Sequence, residues 1–296
     1  MKRCLHIMFD EKIINRTIKM FEMVYPYENT YYVIRKGETH HVLPAQNVFF
    51  IEKDSQYQEI LDVANGYKYI VFHALHGQVV RHLKNLSHPN ICWIEWGYDL
   101  YNQLLVHKGY ELFENPCASK LLLDPKLPFV FAYIKSKISG FYYKMIVRNF
   151  VKKVHYFMPD STPDELPLLL NYYPEFSHLE HKDIFYYPID EILGNELMEK
   201  RCNGNGIFVN HSAYITGNHI GVYKKLASLG VDNRIVYSPI SYGPETCKSY
   251  IKDNGYNILG DNFVPLENYM PLEKYNKLLL SANVFIYGHW RQEAVG

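Results

Sequence analysis

Residues 283–296 read N-V-F-I-Y-G-H-W-R-Q-E-A-V-G, in which a short apolar run is followed at once by polar residues. The run at 284–287 is typical of a buried β-strand, so the residues after it would lie at the carboxyl end of that strand. Ligands of open α/β sheets bind at such strand ends. Arg291 would present a planar, permanently charged fork suited to a diphosphate, and a helix starting nearby would add backbone amide donors. Because one strand and one helical turn are an unusual place for a fold to stop, the pattern predicts a truncated last domain.

The preceding chain alternates apolar runs with segments of helical spacing. Strands are predicted at 3–9, 30–34, 48–51, 69–75, 91–96, 154–158, 184–188, 207–209, 234–237 and 256–259. Helices are predicted at 11–24, 57–63, 78–86, 100–110, 218–229, 245–254 and 272–282. Continuous apolar strands that alternate with helices are typical of a parallel sheet covered on both faces. The predicted fold class is therefore α/β and Rossmann-like.

The chain is long enough, at 296 residues, for two domains with cores of their own. A charged stretch ending N-G-N-G before residue 207 is the best candidate for a linker. The sequence thus predicts an amino-terminal domain at 1–190, a linker at 191–205 and an incomplete carboxyl-terminal domain at 206–296. Two sheets joined by one linker would leave a cleft between them.

Composition excludes several classes of protein. The formal net charge is +0, so no overall field would recruit nucleic acid. No apolar run is long enough to span a bilayer, and charges at Asp10, Glu11 and Lys12 interrupt the only stretch resembling a signal peptide. The five scattered cysteines, none in a C-x-x-C pair, are typical of reduced cytoplasmic thiols.

Two common kinds of ligand site are also disfavoured. The first predicted strand is followed by F-D-E-K without glycine, whereas a dinucleotide cofactor needs G-x-G-x-x-G at that turn. No H-E-x-x-H or similar spacing indicates a metal site. We therefore expect neither a metal nor another cofactor.

A basic and aromatic helix is predicted within 121–153, where the alternation of strands and helices breaks. Its basic residues would share one side with one aromatic residue among them: Lys137, Lys144, Arg148 and Lys152, with Phe141. Such a helix is suited to an anionic lipid surface. An ordinary surface helix with a solvated basic side explains the pattern equally well.

Polar residues cluster after two predicted strands of the amino-terminal half. His73 to Gln78 contains His76, which suits either a base near neutral pH or a structural hydrogen bond. Trp93 to Tyr101 places tryptophans beside carboxylates, and apolar walls raise a carboxylate's pKa and prepare it for proton transfer. Asp99 is equally suited to capping the next helix.

A third cluster, V-N-H-S-A at 209–213 and T-G-N-H at 216–219, lies between a predicted strand and a predicted helix. Ser212, Thr216 and the first helical amides are suited to phosphate oxygens, and Thr216 is also suited to capping the helix. Strand ends commonly carry such residues simply to turn the chain, so both interpretations stay open.

The ordered set of these motifs resembles glycosyltransferase family 56, typified by the enterobacterial dTDP-4-acetamido-4,6-dideoxygalactose transferase of common-antigen synthesis. The matching segments are F-H at 72–73, H-G-Q at 76–78, W-G-Y-D-L-Y at 96–101, N-H-S at 210–212, N-H at 218–219, Y-G at 242–243 and R-Q-E-A-V-G at 291–296. The resemblance covers nearly the whole chain. His211 and Tyr98 depart from the family pattern, which bears on the identity of the sugar more than on the reaction type.

The resemblance implies a GT-B architecture without a metal, with the donor held by the carboxyl-terminal domain. Side chains and helix amides would then neutralise the leaving diphosphate. The implied donor-binding residues are Ser212, Thr216, Asn218, His219, Tyr242, Gly243, Arg291 and Gln292. The implied acceptor side comprises His73, Gln78, Trp96 and Tyr101. Asp99 or His76 would deprotonate the acceptor hydroxyl.

The same resemblance implies the partners. The donor would be a dTDP-linked deoxy-amino sugar, and the acceptor an undecaprenyl-diphosphate-linked saccharide at the cytoplasmic face of the inner membrane, which the basic helix would contact peripherally. Two rival hypotheses are an isomerase or hydrolase of nucleotide sugars, and a non-catalytic nucleotide-sugar-binding module.

Overall fold

The computed structural model describes residues 2–35, 40–124, 126–159, 163–184, 197, 199–231 and 233–291. These residues form two compact units. The first contains the described parts of Met1–Tyr110 and Ile138–Pro188, and the second those of Glu111–Lys137 and Ile189–Ala294.

The first unit is built on a seven-stranded parallel sheet of order β3-β2-β1-β4-β5-β6-β7. Its strands are β1 (Lys2–Phe9), β2 (Asn29–Ile34), β3 (Val48–Ile51), β4 (Tyr67–His73), β5 (Ile91–Glu95), β6 (Tyr156–Pro159) and β7 (Glu180–His181). Every residue of β2 and β5 is buried, as expected for strands covered on both faces.

Helices connect most of these strands. They are α1 (Ile14–Val24), α2 (Tyr57–Val63), α3 (Gly77–Val80), α4 (Phe129–Val151) and α5 (Glu165–Tyr172). Ile14 of α1 packs with Met8, Tyr31 and Val33 of the neighbouring strands in one buried cluster. The apolar face of α1 is thereby fixed against the sheet.

The predicted helix at 100–110 is wrong. The chain instead forms a wide π-type turn at Tyr98–Asn102 and a 3-10 turn at Leu105–Lys108. Two side chains of this stretch, those of Asp99 and Gln103, accept hydrogen bonds from backbone amides of the loop after β4. Those bonds hold the stretch in a shape that an α-helix does not have. The helix predicted at 78–86 is likewise only the short α3.

The last strand of the first unit also differs from the prediction. A strand was expected at 184–188, but β7 lies at Glu180–His181. Ile184 packs beside the sheet, and 185–188 lie outside the described residues.

The second unit is built on a four-stranded parallel sheet of order β10-β9-β8-β11. Its strands are β8 (Gly206–Val209), β9 (Val236–Pro239), β10 (Phe263–Leu266) and β11 (Ala282–Ile286), and its helices are α6 (His219–Leu229), α7 (Glu245–Leu259) and α8 (Leu272–Leu280). One core cluster joins β8, β9, α6 and α7, with Val209, Tyr223 and Ile251 fully buried.

The strand predicted at 256–259 is wrong, because helix α7 continues to Leu259 and the strand is β10 instead. Gly255 lets the helix lie directly on the ring of Phe263, which a side chain at 255 would strike. The helix ends at Gly260, whose positive φ of 57° suits glycine.

The segment Glu111–Lys137, which includes the start of α4, belongs to the second unit, and this differs from the predicted division at residue 190. Phe113, Ala118 and Leu121 pack against the core of that unit, and the Thr246 hydroxyl donates to the Leu121 carbonyl at 2.9 Å. Part of the predicted linker, 191–196 and 198, lies outside the described residues.

Within the described ranges, no helix combines the length and the apolar character that crossing a bilayer requires.

Candidate functional site

The sheet of the second unit has a topological switch point between β8 and β11. The chain proceeds from β8 to β9 and β10 on one side, and then returns to β11 on the other side of β8. Ligands of open α/β sheets bind outside the carboxyl ends of the strands at such a point. We therefore expect a ligand site at the loops after β8 and β11.

Gly288 joins these two loops. Its amide donates to Asn210 Oδ1 at 2.8 Å, and its carbonyl accepts from Asn218 Nδ2 at 3.1 Å. A Cβ at residue 288 would lie 2.5 Å from the Gly217 carbonyl oxygen and 2.6 Å from Val222 Cγ2. The backbone that leads to Arg291 is thus held on three sides and admits only glycine.

Two asparagines hold the loop after β8 in its shape. Asn210 and Asn218 both adopt positive φ, at 58° and 47°, which asparagine tolerates better than most residues. Asn210 Nδ2 donates to the Gly217 carbonyl at 2.9 Å, and Asn218 Oδ1 accepts from the Glu114 amide at 3.0 Å. Asn218, predicted to bind the donor, therefore uses both ends of its amide to join loops.

Three imidazoles lie at this edge. The rings of His211 and His289 stack with centroids 5.4 Å apart. Burial lowers the pKa of His219 to about 3, and the nearby His289 and His211 add to that shift. His289 was not among the predicted site residues, although it follows Gly288 at a strand end just as His211 follows Asn210.

The other predicted donor residues of the described chain gather around the same loops. Ser212 and Thr216 are buried, and Thr216 Oγ1 has no hydrogen-bond partner within the described chain. The Tyr242 carbonyl accepts from the Ala213 amide at 2.7 Å, and Gly243, at a φ of 135°, lies against Ala213.

Arg291 ends the described segment three residues beyond Gly288 and is half-buried. Gln292 lies outside the described residues, so its role stays a prediction.

The sheet of the first unit has its own switch point, between β1 and β4. The ring of Phe9, at the end of β1, meets His76 edge-on with centroids 5.3 Å apart. His76 also stacks on Tyr98, 5.5 Å away, in the loop after β5. His76 is half-buried, and its Nδ1 accepts from the Gln78 amide at 3.3 Å. The structure thus places His76 and Gln78 together at this edge.

Asp99 is fully buried and holds neighbouring loops together. Its carboxylate accepts from the Leu75 amide at 2.8 Å, the Trp96 amide at 3.0 Å and the Trp93 indole at 2.5 Å. Burial raises the pKa of Asp99, and these hydrogen bonds oppose the rise. With both oxygens engaged and no exposed surface, Asp99 has the geometry of a positioning residue, and His76 is the better placed candidate for a base.

Gln103 also fixes the loop that carries His76, a role that the sequence did not predict. Its Oε1 accepts from the Gly77 amide at 2.8 Å, and its Nε2 donates to the Leu75 carbonyl at 2.7 Å. His76 therefore stands between two backbone positions that are fixed by side chains of the next loop. No signal in the sequence alone marks this glutamine.

Two of the four residues predicted for the acceptor side are buried, which corrects that prediction. Tyr101 is 2% exposed and its hydroxyl donates to Glu165 at 3.3 Å, while His73 is fully buried against His6, with ring nitrogens 3.0 Å apart. Both side chains point into the core, where an external acceptor has no access. Trp96 remains half-buried at the edge.

Further carboxylates surround the edge of the first unit. Burial raises the pKa of Glu95 well above its usual value, with the charges of Asp99 and Glu165 adding to the shift. Burial also raises the pKa of Glu11, in the turn after β1, and the neighbouring Asp10 adds to it. Carboxylates at Asp10 and Glu11 disfavour a pyrophosphate at this turn, which agrees with the missing glycine motif.

Comparison with known proteins gives structural matches only. No family model and no curated protein matches the chain. The sucrose-phosphate synthase of Thermosynechococcus elongatus superposes with a TM-score of 0.55 at 10% identity, covering 100% of this chain and 77% of that one. A glycosyltransferase from Rickettsia africae ESF-5 gives 0.55 at 11% identity, covering 99% and 74%. The chain has a GT-B-like fold. At this identity the likeness concerns the fold, and the cleft expected between the two units stays a prediction.

The GT-B-like chain carries an unusual exposed stripe on α4. Ile134, Ile138, Phe141 and Met145 recur at helical spacing and are all exposed, Ile138 to 66% and Phe141 to 60%. Opposite them, Val147 and Phe150 are buried. The helix thus has an exposed apolar face, and contiguous faces of this kind are rare on monomeric soluble proteins.

Basic side chains flank this stripe. Lys137 lies 5.3 Å from the ring of Tyr133, and Lys144 lies 5.9 Å from that of Phe141. Lys152 is exposed near the end of the helix. Arg148, predicted to share their role, forms an ion pair with Glu175 at 2.6 Å. The lysines are therefore the better candidates for contact with an anionic surface.

The buried pair of His6 and His73 predicts a pH dependence of stability. Burial lowers the pKa of His6 from 6.5 to about 3 and that of His73 well below 6.5. Between those values the unfolded chain binds protons that the folded first unit does not. The contribution of these histidines to the free energy of unfolding should therefore be fully present above pH 6.5. It should be lost as the pH drops below that value, by about 1.4 kcal/mol per pH unit for each histidine.

Urea unfolding at pH 7.5 and pH 5 measures this effect. Trp93 and Trp96 belong to the first unit, so a Trp290→Phe background makes tryptophan fluorescence report that unit alone. The double variant His6→Asn, His73→Asn should show a flatter dependence. An equal slope in both proteins would remove these histidines as the cause.

Proposed function

We propose that this protein is a glycosyltransferase that moves a deoxy-amino sugar from a dTDP-sugar to an undecaprenyl-diphosphate-linked saccharide. The observation that carries the proposal is the pair of hydrogen bonds that join Gly288 to Asn210 and Asn218, which we call the Gly288 clamp. It fixes the backbone leading to Arg291 at the switch point of the second sheet. The ordered motifs that resemble glycosyltransferase family 56 support the finer assignment of donor and acceptor.

In this proposal the second unit holds the donor. A leaving diphosphate needs positive charge and fixed donors where its own charge develops. Arg291 supplies the charge, and the first amides of α6 supply donors at the other loop of the switch point. Ser212 and Thr216 are buried, so their hydroxyls are assigned to the diphosphate by the motif alone. Tyr242 with Gly243 borders the place of the nucleoside. Gln292 is assigned to the diphosphate by the motif alone.

The first unit would supply the base. His76 accepts the proton of the acceptor hydroxyl as that oxygen attacks the anomeric carbon, and the bond from that carbon to the diphosphate breaks. Neutral imidazole suits this step near pH 7. Asp99 and Gln103 act on His76 indirectly, through the backbone of Leu75 and Gly77.

A donor screen by thermal shift tests the proposal, because a ligand that binds only the folded state raises the melting temperature. We expect dTDP to raise it more than UDP or GDP does. Arg291→Ala should remove the shift, whereas Arg201→Ala, an exposed arginine of the same unit, should keep it. If no nucleotide changes the melting temperature of the wild type, the proposal fails.

Product analysis then separates the rival activities. With a dTDP-sugar, an isomerase or hydrolase would change the donor without any acceptor. A binding module would show the thermal shift but no turnover. The transferase should release dTDP only when a lipid-linked saccharide is present.

We also propose that α4 brings the enzyme to the membrane that carries its acceptor. Apolar side chains of the exposed stripe would enter the headgroup region, and the flanking lysines would meet anionic lipids. This places the protein at the cytoplasmic face of the inner membrane as a peripheral protein, in agreement with the family resemblance.

Vesicle sedimentation tests the role of α4. Replacing Lys137, Lys144 and Lys152 with glutamate should weaken binding to phosphatidylglycerol-containing vesicles roughly a hundredfold, because each basic residue near an anionic surface contributes about 1 kcal/mol. Lys225→Glu, an exposed lysine on α6, is the matched control. Unchanged sedimentation of the triple variant would reject the membrane role.

A further inference from the structure

A polar cavity of about 390 Å³ lies within the second unit, between the first turns of α6, the middle of α7 and the segment around Glu114. Its volume is within the range of small-molecule sites. The polar groups that line it are Glu114, Asn115, Asn218, Lys224, Tyr250 and Asn254. Of the residues that border it, Asn218 and His219 also belong to the predicted donor site.

A buried side chain of this cavity lacks a partner. His219 is fully buried and borders the cavity, yet neither of its ring nitrogens has a hydrogen-bond partner in the described part of the chain. The Ser212 backbone lies near enough to raise the pKa of His219, but neither ring nitrogen makes a hydrogen bond of normal geometry with a described residue. Buried polar atoms of folded proteins are nearly always satisfied by protein, water or ligand. This imidazole therefore points to an occupant of the cavity.

The position of Glu114 is fixed by its neighbours. Its amide donates to Asn218 Oδ1 at 3.0 Å, and its carboxylate lies directly against Gly221, where any Cβ would strike it. Glycine in the first turns of a helix costs stability relative to alanine. The carboxylate at the rim of the cavity thus depends on the absence of a side chain at 221.

The charges of the lining exclude most classes of ligand. A phosphate would meet the Glu114 carboxylate, a cation would meet the Lys224 ammonium, and an apolar molecule would leave the polar lining unsatisfied. Hydroxyl groups both donate and accept hydrogen bonds, so they suit a carboxylate, an ammonium and amide groups together. Asn115 and Asn254 border the cavity with side-chain amides.

We propose that this cavity is a second ligand site that binds a neutral polyhydroxylated molecule of monosaccharide size. The Glu114 carboxylate accepts from two of its hydroxyls, Lys224 donates to another, and His219 gains its missing partner. The site adjoins the donor site at Asn218 and His219, and it does not rest on the proposed transferase activity.

Saturation-transfer NMR with D-galactose, N-acetyl-D-glucosamine and myo-inositol tests the site on the whole chain. The wild type should give a signal with at least one of the three. Glu114→Gln and Gly221→Ala should each weaken that binding about tenfold, since each removes a charged acceptor from its place. Glu245→Gln, at the exposed start of α7, should leave it unchanged.

Gly221→Ala distinguishes loss of sugar binding from loss of folding. The substitution raises helix propensity while its methyl group displaces the carboxylate, so the melting temperature should be kept or raised as sugar binding falls. Saturating dTDP should leave the sugar signal in place.

Four results would overturn the inference: no signal with any of the three polyols, equal binding by Gly221→Ala and the wild type, binding of inorganic phosphate in their stead, or displacement of the sugar by dTDP. Loss of dTDP binding alone would count against the donor site and leave this one standing.

Discussion

Replacing Gly288 with alanine is expected to disable the donor site of the second unit. The new methyl group would lie 2.5 Å from the Gly217 carbonyl oxygen, far inside contact distance. The backbone at 288 must then move, which breaks its hydrogen bonds to Asn210 and Asn218. Overpacking and two lost hydrogen bonds together should lower the free energy of unfolding by about 3 kcal/mol. Arg291 moves with this backbone, so we expect dTDP affinity to fall at least about tenfold.

Urea unfolding and calorimetric titration with dTDP measure these two effects. Gly66→Ala is the control, because no heavy atom lies within 4 Å of a Cβ at that residue. It should match the wild type in both assays. If Gly288→Ala bound dTDP with wild-type affinity, the hydrogen bonds of Gly288 to Asn210 and Asn218 would not position a donor.

Replacing Asp99 with asparagine is expected to destabilise the first unit. The carboxylate accepts three N–H donors while fully buried, and an amide would turn an N–H group toward some of those donors. Each buried polar group left unsatisfied costs about 1–3 kcal/mol, so the free energy of unfolding should fall by about 3 kcal/mol. The loop that carries His76 would loosen at the same time.

Asp62→Asn is the matched control, since Asp62 is exposed and accepts a hydrogen bond from the nearby Gln58 side chain. Unfolding followed by tryptophan fluorescence gives the stability, and the pH profile of transfer gives the chemistry. If Asp99→Asn kept wild-type stability and lost only turnover, Asp99 would be the base and our assignment of it as a positioning residue would be wrong.

The sequence predicted those parts of the fold that depend on local pattern. Strands such as Asn29–Ile34 and Gly206–Val209 are buried on both faces, so their apolar runs are continuous and easily found. The stretches 100–110 and 256–259 were assigned wrongly because distant contacts decide them. Asp99 and Gln103 accept hydrogen bonds from a loop that precedes them by 24 and 26 residues, and Gly255 packs on Phe263.

The candidate site was predicted to a similar depth. Strand-end loops could be located, because the carboxyl ends of parallel strands share one edge. Which side chains of those loops face outward could not be predicted, since His73 and Tyr101 are buried through contacts with residues distant in sequence, such as His6 and Glu165. Gly288 appeared in the deciding stretch, yet its role depends on Asn210, 78 residues away.

Hydrogen–deuterium exchange with and without dTDP tests the central claim most directly, because it locates the ligand on the chain. We expect dTDP to slow exchange in peptides covering 210–219 and 284–291, the two loops that Gly288 joins, and to leave peptides of the first unit such as 67–80 unchanged. Protection confined to other segments, or none at saturating dTDP, would contradict it.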